Sequence, residues 1–500
     1  MDASALIRAA VTEPCLPWPR HILAQAEWAQ MAEALADEPT PALLALWADT
    51  AHVHALLYDE AAGEPLLAST RIEAGLYPAL SPNRPLSAWF ERMVQDLWGH
   101  TAAGGADQRP WLDHGHWPQA HPMALRPDDL RGRSEPPEFL PVADDDLDQI
   151  PLGPIHGGIE PASHLRLTGR GESIARLEAR LGYTHKGTLA LIRGKSPRAA
   201  ARFAARLSGE ATVAHAIAFA QATEAALQAE PPPRAVALRA VMAEMERIAG
   251  HLGALGAVGK AAGFCELPAR CGYHREALHR AANLAFGHRL MMDCVIPGGV
   301  AADVAPNGPD AVLGALADLA KDLLELEHLY ERGPLARWLS GIGIVSASQA
   351  SRFAAGGVTG RAAGRDFDAR RFPGYGPYGL LALSVPVLAA GDADARTRLR
   401  LAEIGESIRL LRALLDALPP GPVSIPLPAD SGEGVGFAES ARGDVWHWLR
   451  LDHGQIASVF MRDPGWAHWA LFEAIAPCAR MADLPLIQAS FDLASSGVDL

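Results

Sequence analysis

The chain has 500 residues, 49% hydrophobic and 20% charged, enough to bury a large core and to build more than one domain. Its net charge of −14 argues against a nucleic-acid partner, because a phosphate-binding surface needs a basic excess. Five cysteines (Cys15, Cys265, Cys271, Cys294 and Cys478) and an N-terminus without a basic start and apolar run indicate a cytoplasmic protein without disulfides.

Along residues 1–125 the pattern predicts helices over 27–35 and 41–47, strands over 52–58 and 65–72, and an amphipathic helix over 89–99 that carries Trp89, Met93, Leu97 and Trp98 near one face. Residues 126–152 read as a Pro- and Asp-rich linker containing ADDDLDQ. From 153 to 500 the chain becomes mainly helical. Strands are predicted at 164–168 and 174–179, helices at 197–228, 234–259, 268–292, 308–332 and 397–418, further strands at 445–451 and 455–459, and a last helix at 466–476. Gly- and Pro-rich stretches at 356–378 and 419–436 separate the later elements, and no internal repeat is present. The fold class is α+β: a small N-terminal α+β domain followed by a mainly helical bundle with a minor β-sheet. No apolar run is long enough to span a bilayer. The nearest, Gly379 to Ala390, is broken by Pro386, so membrane contact would run through partners.

The 234–259 segment organises the second domain. Leu238, Val241, Met242, Met245, Ile248, Leu252 and Leu255 recur at helical spacing behind a Pro231-Pro232-Pro233 start. Arg239, Glu244, Glu246, Arg247 and His251 fill the other face, which the pattern reads as the solvated side of a bundle helix. Cys265, Cys271, His274 and His279 give a loose zinc-like spacing, but zinc sites use tighter cysteine pairs and this stretch falls mostly in a predicted helix. GYGPYG at 374–379 lacks the GK[ST] ending of a phosphate loop.

Several longer motifs carry a family resemblance: GPIHGGIEPASHLRL (153–167), RLGYTHKG (180–187), PRAVALRAVMAEMERIAGHLGALG (233–256), FGHRLMMDCVIPGGV (286–300), RAAGRDFDARR (361–371), GFAESARGD (436–444) and the C-terminal segment from PGWAHWALFEA onward. Through them the second part resembles the large subunit of nickel–iron hydrogenases of the formate hydrogenlyase type and the D-type subunit of complex I. The first part resembles the C-type subunit of complex I through ERMVQDLWG (91–99), DQRPWL (107–112) and WPQAHPMALR (117–126). The resemblance covers roughly residues 20–500.

In that family four cysteines hold the metal, thiolates being soft ligands suited to nickel and iron. The matching positions here are Ser208, Ala211, Ala494 and Gly497, so the resemblance implies a subunit with no metal of its own. A family tyrosine that serves quinone is matched by Gly209, and an acidic residue after the long helix is matched by Ala261. What the resemblance retains is the surrounding polar lining. Glu160 stands at the proton gateway, and Glu439 and Arg442 lie in the E-x-x-R-G motif. His156, His185, His215, Arg361, Asp368, Arg370 and Asp492 stand near the cavity. The implied role is electron transfer, to a quinone-like acceptor, coupled to proton or ion movement. The implied partners are an iron–sulfur small subunit and antiporter-like membrane subunits at the inner face of the cell membrane, with nucleotide handled elsewhere. The alternative is a non-catalytic scaffold that docks the iron–sulfur subunit onto the membrane module. An active hydrogenase would need metal without thiolates.

Overall fold

The computed structural model describes residues 2–36, 39–127, 136–142, 146–156 and 162–500. The N-terminal part is a five-stranded sheet in the order Val11–Glu13, Arg20–Leu23, Glu64–Arg71, His52–Asp59, Ala42–Ala48, with only the Arg20–Leu23/Glu64–Arg71 pair parallel. Ala42–Ala48, expected as a helix, is a fully buried strand. A short run of apolar residues has no period of its own, and pairing with His52–Asp59 decides the outcome. The amphipathic helix forms as expected, over Ser87–Trp98, and ends at Gly99 in the left-handed conformation (φ 74°).

The expected linker contributes structure at its end. Asp148–Leu152 pairs with His164–Arg170, which pairs in turn with Ser173–Arg180. The N-terminal part is also more than tethered. Trp47 stacks on Phe460 at 5.2 Å, Phe90 on Trp466 at 4.5 Å, and Arg450 Nη1 donates to Asp49 at 2.8 Å, so both parts share one core.

The helical part is built on Pro233–Ala261, 29 residues long, packed against Glu266–Phe286 and Ala393–Asp416. Glu266–Phe286 stops short of the expected 292 because Gly287 terminates it at φ 79°. The single helix expected over 197–228 is two, Pro197–Ala204 and Thr212–Ala226, separated by the turn at 208–210. The largest correction concerns the long helix itself. Its polar face is not solvated: Glu244, Arg247 and His251 are at most 1% exposed and Arg239 is 5% exposed.

A second three-stranded sheet, Gly432–Glu439, Asp444–Asp452 and Gln455–Arg462, closes the molecule. Its first strand falls in a stretch expected to be irregular, because its alternate residues are glycines. Those glycines set the site. A Cβ at Gly432, Gly434 or Gly436 would lie 2.0–2.1 Å from the carbonyl oxygens of Ala226, Ala222 and Ala218. The strand therefore lies directly on the Thr212–Ala226 helix, and its far end delivers residues 439–442 beside the 208–215 segment. On the other side, a Cβ at Gly250 would meet Ala441 at 2.7 Å, so the long helix approaches the same turn closely.

Candidate functional site

Arg442 is the centre of the polar cluster that these contacts bring together. It is 4% exposed, donates through Nη2 to Ser208 Oγ at 2.7 Å and through Nη1 to Glu210 Oε2 at 3.0 Å. Burial opposes its charge, but Asp463, Glu210, Asp492 and Glu246 outweigh burial and raise its pKa. Asp463 is held ionised, well below the usual carboxylate range: burial works against it, and a hydrogen bond from His215 and the Arg442 charge prevail. His215 bridges, with Nε2 3.0 Å from Asp463 Oδ2 and Nδ1 2.9 Å from His447 Nε2. His447 is kept neutral, by burial first and then by His215.

The four positions where the family resemblance expects thiolates lie around this cluster. Ser208 touches Arg442 directly, and Ala211 opens the turn of helix that carries His215. Ala494 accepts from Trp469 Nε1 at 3.1 Å and faces Gly465, whose N–H donates to Asp463. A Cβ at Gly497 would lie 2.2 Å from Asp463 Cγ. The Asp463 carboxyl therefore occupies the space a cysteine at 497 would need, and a hydroxyl with three donorless residues does not make a soft-metal ligand set. The residues present do not fit a nickel–iron centre.

Asp492, at φ 57° just beyond the Leu484–Phe491 helix, lies 4.0 Å from Arg400 and is raised by burial against the pull of that arginine. Gly209 and Glu210 line a cleft between the long helix and Glu266–Phe286, walled by Met245, Ala249, Leu278 and Met291 and edged by Arg275. Arg275 bears on Asp492 electrostatically, and its Nε is buried with no hydrogen-bond partner among the described residues.

Arg361, Asp368 and Arg370 stand elsewhere. They form a closed buried network with the polar face of the long helix. Arg361 Nη1 lies 3.2 Å from Asp368 and 3.3 Å from Glu439, and its Nη2 donates to Glu403. Arg370 pairs with Asp368 at 2.7 Å and with Glu244 at 3.2 Å. Glu244 also accepts from Tyr378 at 2.7 Å and from Ser407 at 2.6 Å. His251 Nε2 donates to the Glu403 carboxylate at 3.0 Å, and burial pushes the imidazole down to about 4. Glu439 joins this network to the Arg442 turn; burial and then the Asp368 charge push it up to about 8.

His156 Nε2 bonds Ser163 O at 2.8 Å, and His185 Nδ1 bonds Asp499 O at 2.6 Å while stacking on Trp117. Glu160 lies outside the described residues. The zinc-like quartet is dispersed: His274 bonds Asp322 at 2.9 Å and His279 bonds Arg289 O at 3.1 Å. Sequence reasoning missed Asp463, His447, Arg400, Arg275 and Glu403, whose partners lie far away in the chain. One signal was legible: Glu244 and Arg247 are one turn apart on a helix with few exposed-type lysines, a pairing that suits burial.

Residues 263–430 match the family model described as respiratory-chain NADH dehydrogenase, 49 Kd subunit, and residues 186–253 match nickel-dependent hydrogenase. The chain is 28% identical to hydrogenase-4 component G of Escherichia coli over 435 residues, covering 85% of this chain and 76% of that protein. It is 32% identical to the D-type subunit of the NADH-quinone oxidoreductase of Gluconacetobacter diazotrophicus over 282 residues, covering 56% of this chain and 68% of that one. Its fold is similar to a subunit in the structure of the membrane-bound sulfane sulfur reductase, an archaeal respiratory membrane complex. That match has a TM-score of 0.68 at 24% identity and covers 72% of this chain and 100% of the other.

Proposed function

The chain belongs to the family that joins the 49 kDa subunit of respiratory-chain NADH dehydrogenase to the nickel–iron hydrogenase large subunits, and from that premise we propose that it is the large subunit of a respiratory oxidoreductase complex that reduces an organic acceptor beside Arg442 without a nickel–iron centre. The observation that carries this reading is the combination of a buried, charged Arg442 with Glu210, a partner whose side chain is 52% exposed. A guanidinium whose carboxylate partner can swing into solvent offers its N–H groups to an incoming oxygen. Ser208 Oγ orients the other edge of the same guanidinium.

The acceptor class is a quinone-like carbonyl compound. The cleft walled by Met245, Ala249, Leu278 and Met291 has a volume of about 30 Å³, so the acceptor's apolar body enters as those side chains move apart, while Arg442 stabilises the negative charge that grows on its oxygen. Reducing equivalents come from an iron–sulfur small subunit docked over the 206–215 and 436–444 segments. Antiporter-like membrane subunits form the membrane arm at the inner face of the cell membrane, and electron transfer is coupled to proton or ion movement. No helix among the described residues is long and apolar enough to cross a membrane, which suits a peripheral position. Glu160, by its motif, serves proton transfer.

The test is turnover of a quinone analogue by the purified complex. Arg442→Ala lowers it by on the order of 10²-fold, the scale of removing one charge-stabilising donor. Unchanged turnover with normal assembly overturns the reading in favour of the scaffold. In that case cavity charges are silent and only an apolar change such as Leu252→Asp, on a fully buried residue, breaks the complex.

A further inference from the structure

Glu246 is a carboxylate that neither the closed network nor the Arg442 ion pairs use. It projects from the long helix into the wall of the α-helical cleft that also holds Gly209 and Glu210. Its two oxygens accept from the first amides of the Thr212–Ala226 helix, Val213 N at 2.7 Å and Ala214 N at 3.0 Å. No arginine pairs with it among the described residues. Its neighbours approach from every side: Arg247 on its own helix, Arg442 from the 439–443 turn, Glu210 from the 208–210 turn, Arg275 and His279 from the Glu266–Phe286 helix, and Arg289 from the segment beyond.

We propose that Glu246 is the proton-exchanging group of the acceptor site, giving a proton to the reduced acceptor from inside the cleft and recovering it from solvent through the cleft mouth; the assignment rests on the acceptor reading above. The bookkeeping is that of a two-electron carbonyl reduction. Two electrons from the iron–sulfur partner reduce the acceptor, and the oxygen facing Arg442 becomes an oxyanion. The O–H bond of Glu246 breaks as the new acceptor O–H bond forms, and the second acceptor oxygen takes its proton from water. The carboxylate left behind is stabilised by two helix-start amides that already point at it, so the ionised product needs no rearrangement. Burial pushes the acid up to about 7, with the Val213 and Ala214 amides holding it from going higher. An acid balanced near neutrality exchanges protons in both directions. Glu439, which is also raised, is sealed inside the network at 1% exposure and is not open to such exchange.

Two measurements test it on the full chain and on the complex that contains it. In infrared difference titration of the full chain, wild type gains a protonated-carboxyl band as pH falls through about 7, and that band is missing in Glu246→Gln. A spectrum unaltered by Glu246→Gln overturns the assignment. In the complex, with a short-chain quinone analogue as the probe, Glu246→Gln lowers turnover by on the order of 10²-fold and removes the neutral limb of the pH–rate profile, while Glu246→Asp restores part of both. Equal rates and an unchanged pH profile in assembled Glu246→Gln complex also overturn it. A structural helix-capping role alone would lower thermal stability in Gln and Asp alike and leave the pH profile in place. If the wild-type complex turns over no quinone analogue, the acceptor reading fails by itself, and the titration alone decides for or against proton exchange at Glu246.

Discussion

Two polar regions meet at the 439–443 turn, and they are built on opposite plans. On one side Arg361, Arg370 and Arg247 face Asp368, Glu403 and Glu244, each charge answered by another and all at most 3% exposed. On the other side Arg442, Arg400 and Arg275 face Glu210, Asp463 and Asp492, and here Glu210 is 52% and Asp492 19% exposed. The first region is closed to solvent. The second sets buried guanidinium groups against carboxylates that reach water beside a cleft. Burial of charge alone therefore does not mark a functional site; a buried charge whose partner is exposed beside a cleft does.

Breaking the closed region has the largest expected effect. Arg361→Met leaves Glu403, Asp368 and Glu439 without their shared cation and destabilises the chain by roughly 3–5 kcal/mol in denaturant unfolding. Adding Glu403→Gln recovers part of that loss if the network is a charge-balanced unit. Displacing the two regions comes next. Gly436→Ala places a Cβ 2.1 Å from Ala218 O, pushing the strand off its helix at a cost of about 1–3 kcal/mol and weakening the Arg442–Ser208 contact.

A pH series sharpens the contrast. Glu439 has its folded pKa raised from 4.5 to about 8, so between those values the folded chain holds a proton the unfolded chain has released. Its contribution is complete below about 4.5 and is lost as pH rises through about 8, at up to about 1.4 kcal/mol per pH unit. Glu439→Gln flattens that slope. The smallest effect belongs to Cys265→Ser, an exposed residue of the dispersed quartet, which changes stability by less than about 0.5 kcal/mol and leaves metal content unaltered.

Much of this architecture was legible in the residue pattern. The long helix, the Ser87–Trp98 helix and the strand pairs at 164–180 and 445–462 announce themselves by period and breakers. Ala42–Ala48 misled because seven buried residues in a row carry no alternation. Gly432–Glu439 was invisible because a strand made of glycines has a reason, contact with the Ala218–Ala226 seam, that only the packed structure supplies. The motifs brought Ser208, His215 and Arg442 to one place, but not Asp463 or Arg275, whose relation to them depends on tertiary approach. The polar face of the long helix was misassigned for the same reason: Glu244 finds Arg370, Tyr378 and Ser407 on segments more than a hundred residues away.

Occupancy of the cleft beside Arg442 by an organic acceptor is what separates a catalytic subunit from a scaffold. Photolabelling the purified complex with a quinone analogue that carries its reactive group on the ring tests this directly. Crosslinks are expected on peptides containing residues 245–250 and 275–291, and fewer of them in Arg442→Ala. Labelling confined to other subunits, or crosslinks here that Arg442→Ala leaves unchanged, would contradict it.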